Sequence, residues 1–120
     1  MPNEAVLVPR GPDPVRRLLD RIPELRSHLD KADLDLPYVV FGFFAQYLLG
    51  LRVGDPNLDY AIAFLNELAE SGDSDLENLV QVSVFESLAG DGRSALVKLR
   101  LRDKATKLFL AAENMRRAEQ

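Results

Sequence analysis

The sequence predicts an all-α fold, in which five to six helices form one compact single-domain bundle. Apolar residues recur at spacings of three and four along most of the chain, which is the period of a helix with one buried face. Two Asp-Pro pairs, Asp13-Pro14 and Asp55-Pro56, are typical of helix starts, because aspartate caps free backbone N–H groups and proline fits the first helical position. Several apolar stretches are followed by glycine, a common residue just beyond a helix end.

Residues 1–12 differ from the rest of the chain. They hold three of the seven prolines and show no helical period, so we predict a flexible N-terminal arm with at most a short edge strand at residues 5–8. Residues 13–120 are predicted to form a single α-helical domain, since a chain of 120 residues can bury one core. The chain has no cysteine and does not begin with a basic segment followed by an apolar one, which favours a cytoplasmic location.

The first two predicted helices differ in character. The first follows Asp13 and continues to about Leu29, and Pro23 is expected to kink or split it. The second is the charge-free stretch LPYVVFGFFAQYLLGL, residues 36–51, which contains five aromatic residues. Because a membrane-spanning helix needs about twenty apolar residues and this stretch has sixteen, no membrane span is predicted. A helix that is apolar all round should instead be covered on most sides by the rest of the domain.

The third and fourth predicted helices are joined by a short polar turn. The third begins after Asp55 and ends at Gly72. Ser74 and Glu77 fit a capping box, in which two side chains satisfy free backbone N–H groups reciprocally. The fourth helix is therefore predicted to run from Ser74 to Ala89.

The pattern changes after residue 92. Residues 97–102 read VKLRLR, and this alternation of apolar and basic residues is typical of a strand. A strand there would have only residues 5–8 as a partner, so we favour a short helix with a turn and keep a strand at residues 96–102 as the alternative. Asp103 is then predicted to cap a last helix.

Charge is distributed unevenly along the chain. Residues 1–52 carry seven basic and seven acidic groups, residues 53–92 carry nine acidic groups and no basic one, and residues 93–120 carry eight basic and three acidic groups. The net charges of 0, −9 and +5 add up to the −4 of the whole chain. Such a field can steer association with an oppositely charged partner, or the basic end can pair internally with the acidic helices.

The residue types needed for catalysis are sparse. The chain has one histidine, no cysteine and no pair of groups that would converge for acid–base work, so we predict a protein that is not an enzyme. The run Asp30, Asp33, Asp35 lacks the central glycine and closing glutamate of a calcium loop, and neither a metal nor another cofactor is predicted. Nucleic acid is disfavoured as a partner, because phosphate binding needs basic residues and the net charge is −4.

Three motifs carry a resemblance to a known family: YVVFGFFAQYL, AFLNELAES and NLVQVSVFESLAG, all within residues 36–90. Together they resemble a family of small all-α bacterial proteins of unknown function, whose members include proteins that look like immunity proteins encoded beside secreted toxins. The third and fourth helices, with their aspartate-containing turn, are similar to one HEAT-type repeat. The resemblance implies α-helical packing and a non-enzymatic role, and it leaves the partner open.

These observations predict a small helical protein-binding domain, by resemblance an immunity or antitoxin-type inhibitor. It would present the acidic helix pair of residues 53–92 to a basic partner such as a nuclease, whose active cleft is basic because its substrate is a polyanion. The predicted contact residues are all carboxylates of that pair: Asp59, Glu67, Glu70, Asp73, Asp75 and Glu77. The alternative is a protein that binds a small apolar ligand through the aromatic helix at residues 37–51, with Phe41, Phe44 and Tyr47 beside the cavity.

Overall fold

The computed structural model describes residues 13–118, and over this range the chain is all-α, as predicted, without a strand. The predicted arm at residues 1–12, with its edge strand at residues 5–8, lies outside the described residues. The described residues contain seven α-helices: α1 (Pro14–Arg21), α2 (Pro37–Leu49), α3 (Pro56–Ala69), α4 (Ser74–Leu79), α5 (Glu86–Ala89), α6 (Ala95–Lys98) and α7 (Asp103–Ala118). A π-helical segment at Val80–Phe85 joins α4 to α5, and 3-10 turns occupy Pro23–His28, Lys31–Asp35 and Gly92–Ser94.

The two Asp-Pro helix starts are confirmed. Asp13 Oδ1 accepts a hydrogen bond from the Val15 N–H at 2.8 Å, and Asp55 Oδ1 accepts one from the Asn57 N–H at 2.9 Å. Pro23 splits the first predicted helix, because proline offers no N–H group to the preceding turn. The chain continues from Pro23 as two 3-10 turns instead.

The predicted capping box at the fourth helix is wrong by one residue. Asp73, rather than Ser74, caps α4, since its Oδ1 accepts hydrogen bonds from the N–H groups of Asp75 at 2.9 Å and Leu76 at 3.4 Å. Gly72 has a φ of +78°, a left-handed conformation that suits glycine, and the turn it makes leaves Asp73 extended just before the helix. Ser74 therefore becomes the first residue inside α4.

The fourth helix is also interrupted, which raises the number of helices to seven from the predicted five to six. Its middle widens into the π segment, where the Glu86 N–H bonds to the carbonyl of Gln81, five residues earlier. The Ser87 hydroxyl donates to the Ser83 carbonyl at 3.0 Å at this point. The Ser83 hydroxyl is itself buried without a hydrogen-bond partner among the described residues.

Phenylalanine rings form the centre of the core. Phe41 and Phe44 of α2 meet edge to face, with centroids 6.1 Å apart, and Phe44 meets Phe64 of α3 at 6.4 Å. Phe85 of the π segment packs against Phe109 of α7 at 5.3 Å. Edge-to-face ring pairs are favoured by the aromatic quadrupole, so these contacts hold α2, α3, the π segment and α7 around one core.

Helix α2, helix α3 and the stretch from α4 to α5 run alternately up and down. At the start of α2 the Asn78 side chain of α4 donates to the Tyr38 hydroxyl at 2.7 Å, and just past α5 the Arg93 side chain donates to the Leu49 carbonyl at 3.2 Å. Because contacts join the two starts and the two ends, α2 and the stretch from α4 to α5 run in the same direction. The short connections place α3 antiparallel to both.

The strand alternative at residues 96–102 is wrong, and the favoured short helix with a turn is confirmed as α6 and the following residues. Val97 and Leu101 are buried one helical turn apart, whereas Leu99 between them is 82% exposed. The apolar residues therefore do not share one face, which a strand would require. Helix α7 begins at Asp103, whose φ of +47° is more readily tolerated by aspartate than by most residues.

Among residues 13–118, no helix combines the length and the apolar character needed to cross a membrane.

Candidate functional site

The exposed side of α3 carries three of the six predicted contact residues. Asp59, Glu67 and Glu70 lie along it with exposed Ala63 between them, because spacings of three and four return to one side of a helix. Glu77 of α4 is the fourth member of this group. We call these four carboxylates the acidic stripe.

One flank of the acidic stripe is covered by α1. Arg21 donates through Nη2 to the Glu67 carboxylate, with a distance of 2.8 Å to Oε2. The same guanidinium lies 5.1 Å from the ring centroid of Phe64, so its charge also contacts an aromatic face. Glu67 is thus engaged by a cation of its own chain.

The other flank is covered by the segment between α6 and α7. Arg100 Nε donates to Asp59 at 3.2 Å, the Lys104 backbone N–H donates to Glu70 at 3.2 Å, and the Lys104 ammonium lies 3.3 Å from Glu77. The basic C-terminal part of the sequence therefore folds back onto the acidic helices. The internal pairing that the charge distribution allowed is present at Asp59 and Glu77, while Glu70 accepts a backbone hydrogen bond from the same segment.

Asn66 holds this segment in place. It is 6% exposed, its Nδ2 donates to the Arg100 carbonyl at 3.4 Å, and its Oδ1 accepts from the Arg102 N–H at 3.0 Å. The Asn66 side chain thereby satisfies a backbone C=O group and a backbone N–H group of the turn between α6 and α7, which are not bonded within a helix. The position of Arg100 beside Asp59 depends on this contact.

The remaining two predicted contact residues, Asp73 and Asp75, lie at the start of α4. Asp73 is half-buried and acts as the helix cap, whereas Asp75 is exposed. The structure therefore places the six predicted residues in two groups, with four in the acidic stripe and two at the start of α4.

A face that the sequence did not predict lies on α2. Its outward residues are large and apolar: Leu36 is 49% exposed, Tyr38 47%, Val39 40% and Phe43 38%. We call these four residues the outer face of α2. The expectation that this helix is covered on most sides left one side open, and the structure shows that the open side carries these residues. A signal was present, because Gly42 and Gln46, its weakest apolar positions, fall on the same side.

The three aromatic rings predicted to line a ligand cavity, those of Phe41, Phe44 and Tyr47, lie in the core or bond to a surface residue. Phe41 and Phe44 are buried against each other and against α3. Tyr47 is half-buried, and its hydroxyl donates to Glu24 at 2.7 Å. Burial, and then the bond to Glu24, raise the pKa of Tyr47 well above its ordinary value of 10.0. These rings serve packing and one surface hydrogen bond.

A cleft of about 340 Å³ lies instead beyond the C-terminal end of α2. Its lining is mostly aliphatic, with two arginines, and comprises Leu48, Leu49, Gly50, Leu51, Arg52, Val53, Leu58, Arg93, Leu96 and Val97. Three hydrogen bonds hold the Arg93 guanidinium there. Its Nε and Nη2 donate to the two carboxylate oxygens of Asp91 at 3.0 and 2.8 Å, and its Nη1 donates to the Leu49 carbonyl at 3.2 Å. The cleft is thus an apolar hollow bordered by the fixed Arg93–Asp91 ion pair and by the positive charge of Arg52.

The Asp91–Arg93 pair makes a pH-dependent prediction. Hydrogen bonds from Arg93 hold the pKa of Asp91 at about 2, below its ordinary value of 3.8. A depressed pKa means that the stabilisation is present above about pH 3.8 and is lost as the pH falls toward 2. We expect Arg93→Gln to move the pKa of Asp91 up toward 3.8 in a carboxyl ¹³C NMR titration. An unchanged pKa in that variant, with Arg26→Gln as the control, would contradict the described pair.

Comparison with known proteins identifies a family. A family model described as a domain of unknown function, DUF7674, matches residues 15–115. The chain belongs to this family. Neither a curated protein nor a solved structure matches the chain significantly.

The span shared with the family starts in α1 and ends in α7. It therefore includes the acidic stripe, the outer face of α2 and the cleft. Each of these features lies within the family domain, and the family description assigns a role to none of them.

Proposed function

We propose that this chain is a non-enzymatic protein-binding domain that contacts a basic partner protein through the outer face of α2. The observation that carries the proposal is the exposure of four large apolar side chains at the N-terminal end of α2, where Leu36, Val39 and Phe43 share one side and Tyr38 lies on its flank. Val82, on the π segment that packs along α2, adds a fifth exposed apolar side chain at 40%. Contiguous exposed apolar surface is typical of a contact site for another molecule.

The surroundings of this face favour a protein as the partner. Protein interfaces have an apolar centre rich in aromatic residues and a polar rim. Tyr38 and Phe43 supply the aromatic part, and polar groups border it, with Asn78 bonded to Tyr38 on one side. Carboxylates lie at the same end of the molecule, since exposed Asp35 directly precedes Leu36 and Asp75 lies in the first turn of the neighbouring helix α4. An acidic rim is complementary to a basic partner.

The acidic stripe is expected to assist rather than to dominate binding. A partner cation that approached Glu67 or Asp59 would have to replace Arg21 or Arg100, which already bond to these carboxylates. Replacing one ion pair by another gains little free energy at an exposed site. The apolar contact, which has no competitor among residues 13–118, is therefore the better source of affinity.

The resemblance to immunity proteins selects the class of partner to test first. Secreted toxins that degrade nucleic acids have basic clefts, and a protein with an acidic rim around an apolar centre can cover such a cleft. We therefore infer an inhibitor-type role, with a basic toxin such as a nuclease as the first candidate partner.

The test compares two matched double variants with the wild type. Val39→Asp/Phe43→Asp disrupts the outer face of α2, and Glu67→Lys/Glu70→Lys disrupts the acidic stripe. We expect a basic protein, captured from the source organism and then purified, to bind the first variant about 100-fold more weakly, because two central contacts are lost. The second variant should slow association less than about tenfold, and the effect should shrink at high salt.

Two results would contradict this proposal. One is that the purified partner binds Val39→Asp/Phe43→Asp as tightly as the wild type and loses binding only to the stripe variant. The other is that the wild type forms a stable homodimer through this face in light-scattering measurements, since the face would then serve self-association. Thermal unfolding of both variants controls for folding, because the four substituted side chains are exposed.

A further inference from the structure

We propose that the cleft beyond the C-terminal end of α2 binds a small carboxylate with an apolar chain, of the medium-chain fatty acid class. This site is distinct from the outer face of α2. The outer face lies toward the N-terminal end of the helix, at residues 36–43, whereas the cleft involves residues 48–53. The two proposals therefore stand on different residues.

The apolar part of the ligand is indicated by the lining. The cleft of about 340 Å³ lies within the size range of about 300–1,000 Å³ that small-molecule sites occupy. Its walls come from three parts of the chain that meet only in the fold: the end of α2 with residues 50–53, Leu58 of α3, and Leu96 and Val97 of α6. Val53 remains 62% exposed at this site, so part of the wall is in contact with water until something covers it.

The anionic group of the proposed ligand is indicated by the two arginines that line the cleft, Arg52 and Arg93. Among the described residues that line the cleft there are two guanidinium groups and no carboxylate. Arg52 is exposed and makes none of the ion pairs found within residues 13–118. Because Arg52 also ends the charge-free stretch, its charge lies directly beside the aliphatic wall.

Arg93 supplies oriented N–H donors beside the cleft, and because Asp91 balances its charge, the net positive charge at the cleft comes from Arg52. The Asp91 carboxylate accepts hydrogen bonds from Nε and Nη2 of Arg93, and the Leu49 carbonyl accepts one from Nη1, so the orientation of the guanidinium is fixed. Each Nη carries a second N–H group, and these two donors are not used by the contacts described. The bond to Leu49 also offsets the partial negative charge that the end of α2 would otherwise present to an anion. A carboxylate with an apolar chain matches both features of the cleft.

The test uses octanoate as the probe, followed by ¹H–¹⁵N NMR of the whole chain. We expect saturable shifts confined to the amides of residues 48–53 and 93–97. Octan-1-ol, which has the same chain and no charge, should bind about tenfold more weakly, as should octanoate to Arg52→Gln, because each change removes one charge-assisted contact. Arg26→Gln, an exposed arginine on a different element, should leave octanoate binding unchanged.

Several outcomes would overturn the proposal. Octanol binding as tightly as octanoate would show an apolar hollow without anion recognition. Shifts that do not saturate, or that centre on the outer face of α2, would show nonspecific binding of the alkyl chain. A peptide with an apolar C-terminal residue that binds the cleft where octanoate does not would place a protein terminus there in place of a fatty acid. None of these outcomes depends on a partner for the outer face, so the two proposals can fail separately.

Discussion

Phe44→Ala is expected to lower the free energy of unfolding by about 3–5 kcal/mol, whereas Phe43→Ala, one residue away, should change it by less than about 1 kcal/mol. Phe44 is buried and meets the rings of Phe41 and Phe64, so its removal leaves a cavity between α2 and α3. Phe43 points outward and is 38% exposed. Urea unfolding of both variants, followed by circular dichroism, measures the difference.

The adjacent pair controls for helix propensity, because both substitutions replace the same residue type within α2. Similar losses of stability in the two variants would mean that both rings are packed in the core. A small loss of unfolding free energy in both variants would mean that the surrounding side chains can fill the space that the Phe44 ring occupies. Either result would contradict the division of α2 into a buried side and an outer face.

Asn66→Ala is expected to lower the free energy of unfolding by about 2 kcal/mol, a large effect for one polar side chain. The amide of Asn66 satisfies the Arg100 carbonyl and the Arg102 N–H, and the variant leaves both backbone groups without that partner. Local loosening of residues 99–102 should also raise the hydrogen-exchange rate of the Arg102 amide. Asn114→Ala, on the exposed side of α7, provides the matched control.

A second consequence of Asn66→Ala concerns charge. Arg100 reaches Asp59 only while the turn is held against α3, so the variant should separate this pair. If Asn66→Ala unfolds at the same urea concentration as the wild type and Arg102 exchange is unchanged, the turn is held by other contacts and this account of it is wrong.

The elements that sequence reasoning predicted correctly are those with local causes. Asp13, Asp55 and Pro23 act within one or two turns of their own position, so their effects follow from side-chain chemistry alone. The cap of α4 was misplaced because Asp73 and Ser74 are both good capping residues, and the turn at Gly72 decides between them. The sequence does not reveal the π segment, since six residues are too few for its wider turn to change the apolar pattern of the surrounding helix.

The candidate sites depend on contacts that are distant in sequence. Glu67 bonds to Arg21, which is 46 residues away, and Asp59 bonds to Arg100, which is 41 residues away. A net charge counted along the chain gives no information on such pairings. The cleft likewise joins Arg52 to Arg93, and the outer face of α2 is exposed because no element of the described part of the chain covers that side.

Fluorine NMR of the chain labelled with 4-fluorophenylalanine, with a soluble gadolinium chelate as relaxation agent, measures which rings are open to solvent. We claim that the rings of the aromatic helix are divided between the core and an exposed outer face. Of the six phenylalanines, five are buried and Phe43 alone is exposed, so one ¹⁹F signal should broaden, and it should be the signal that Phe43→Leu removes. Broadening of the Phe41 or Phe44 signal, or no broadening at all, would contradict the claim.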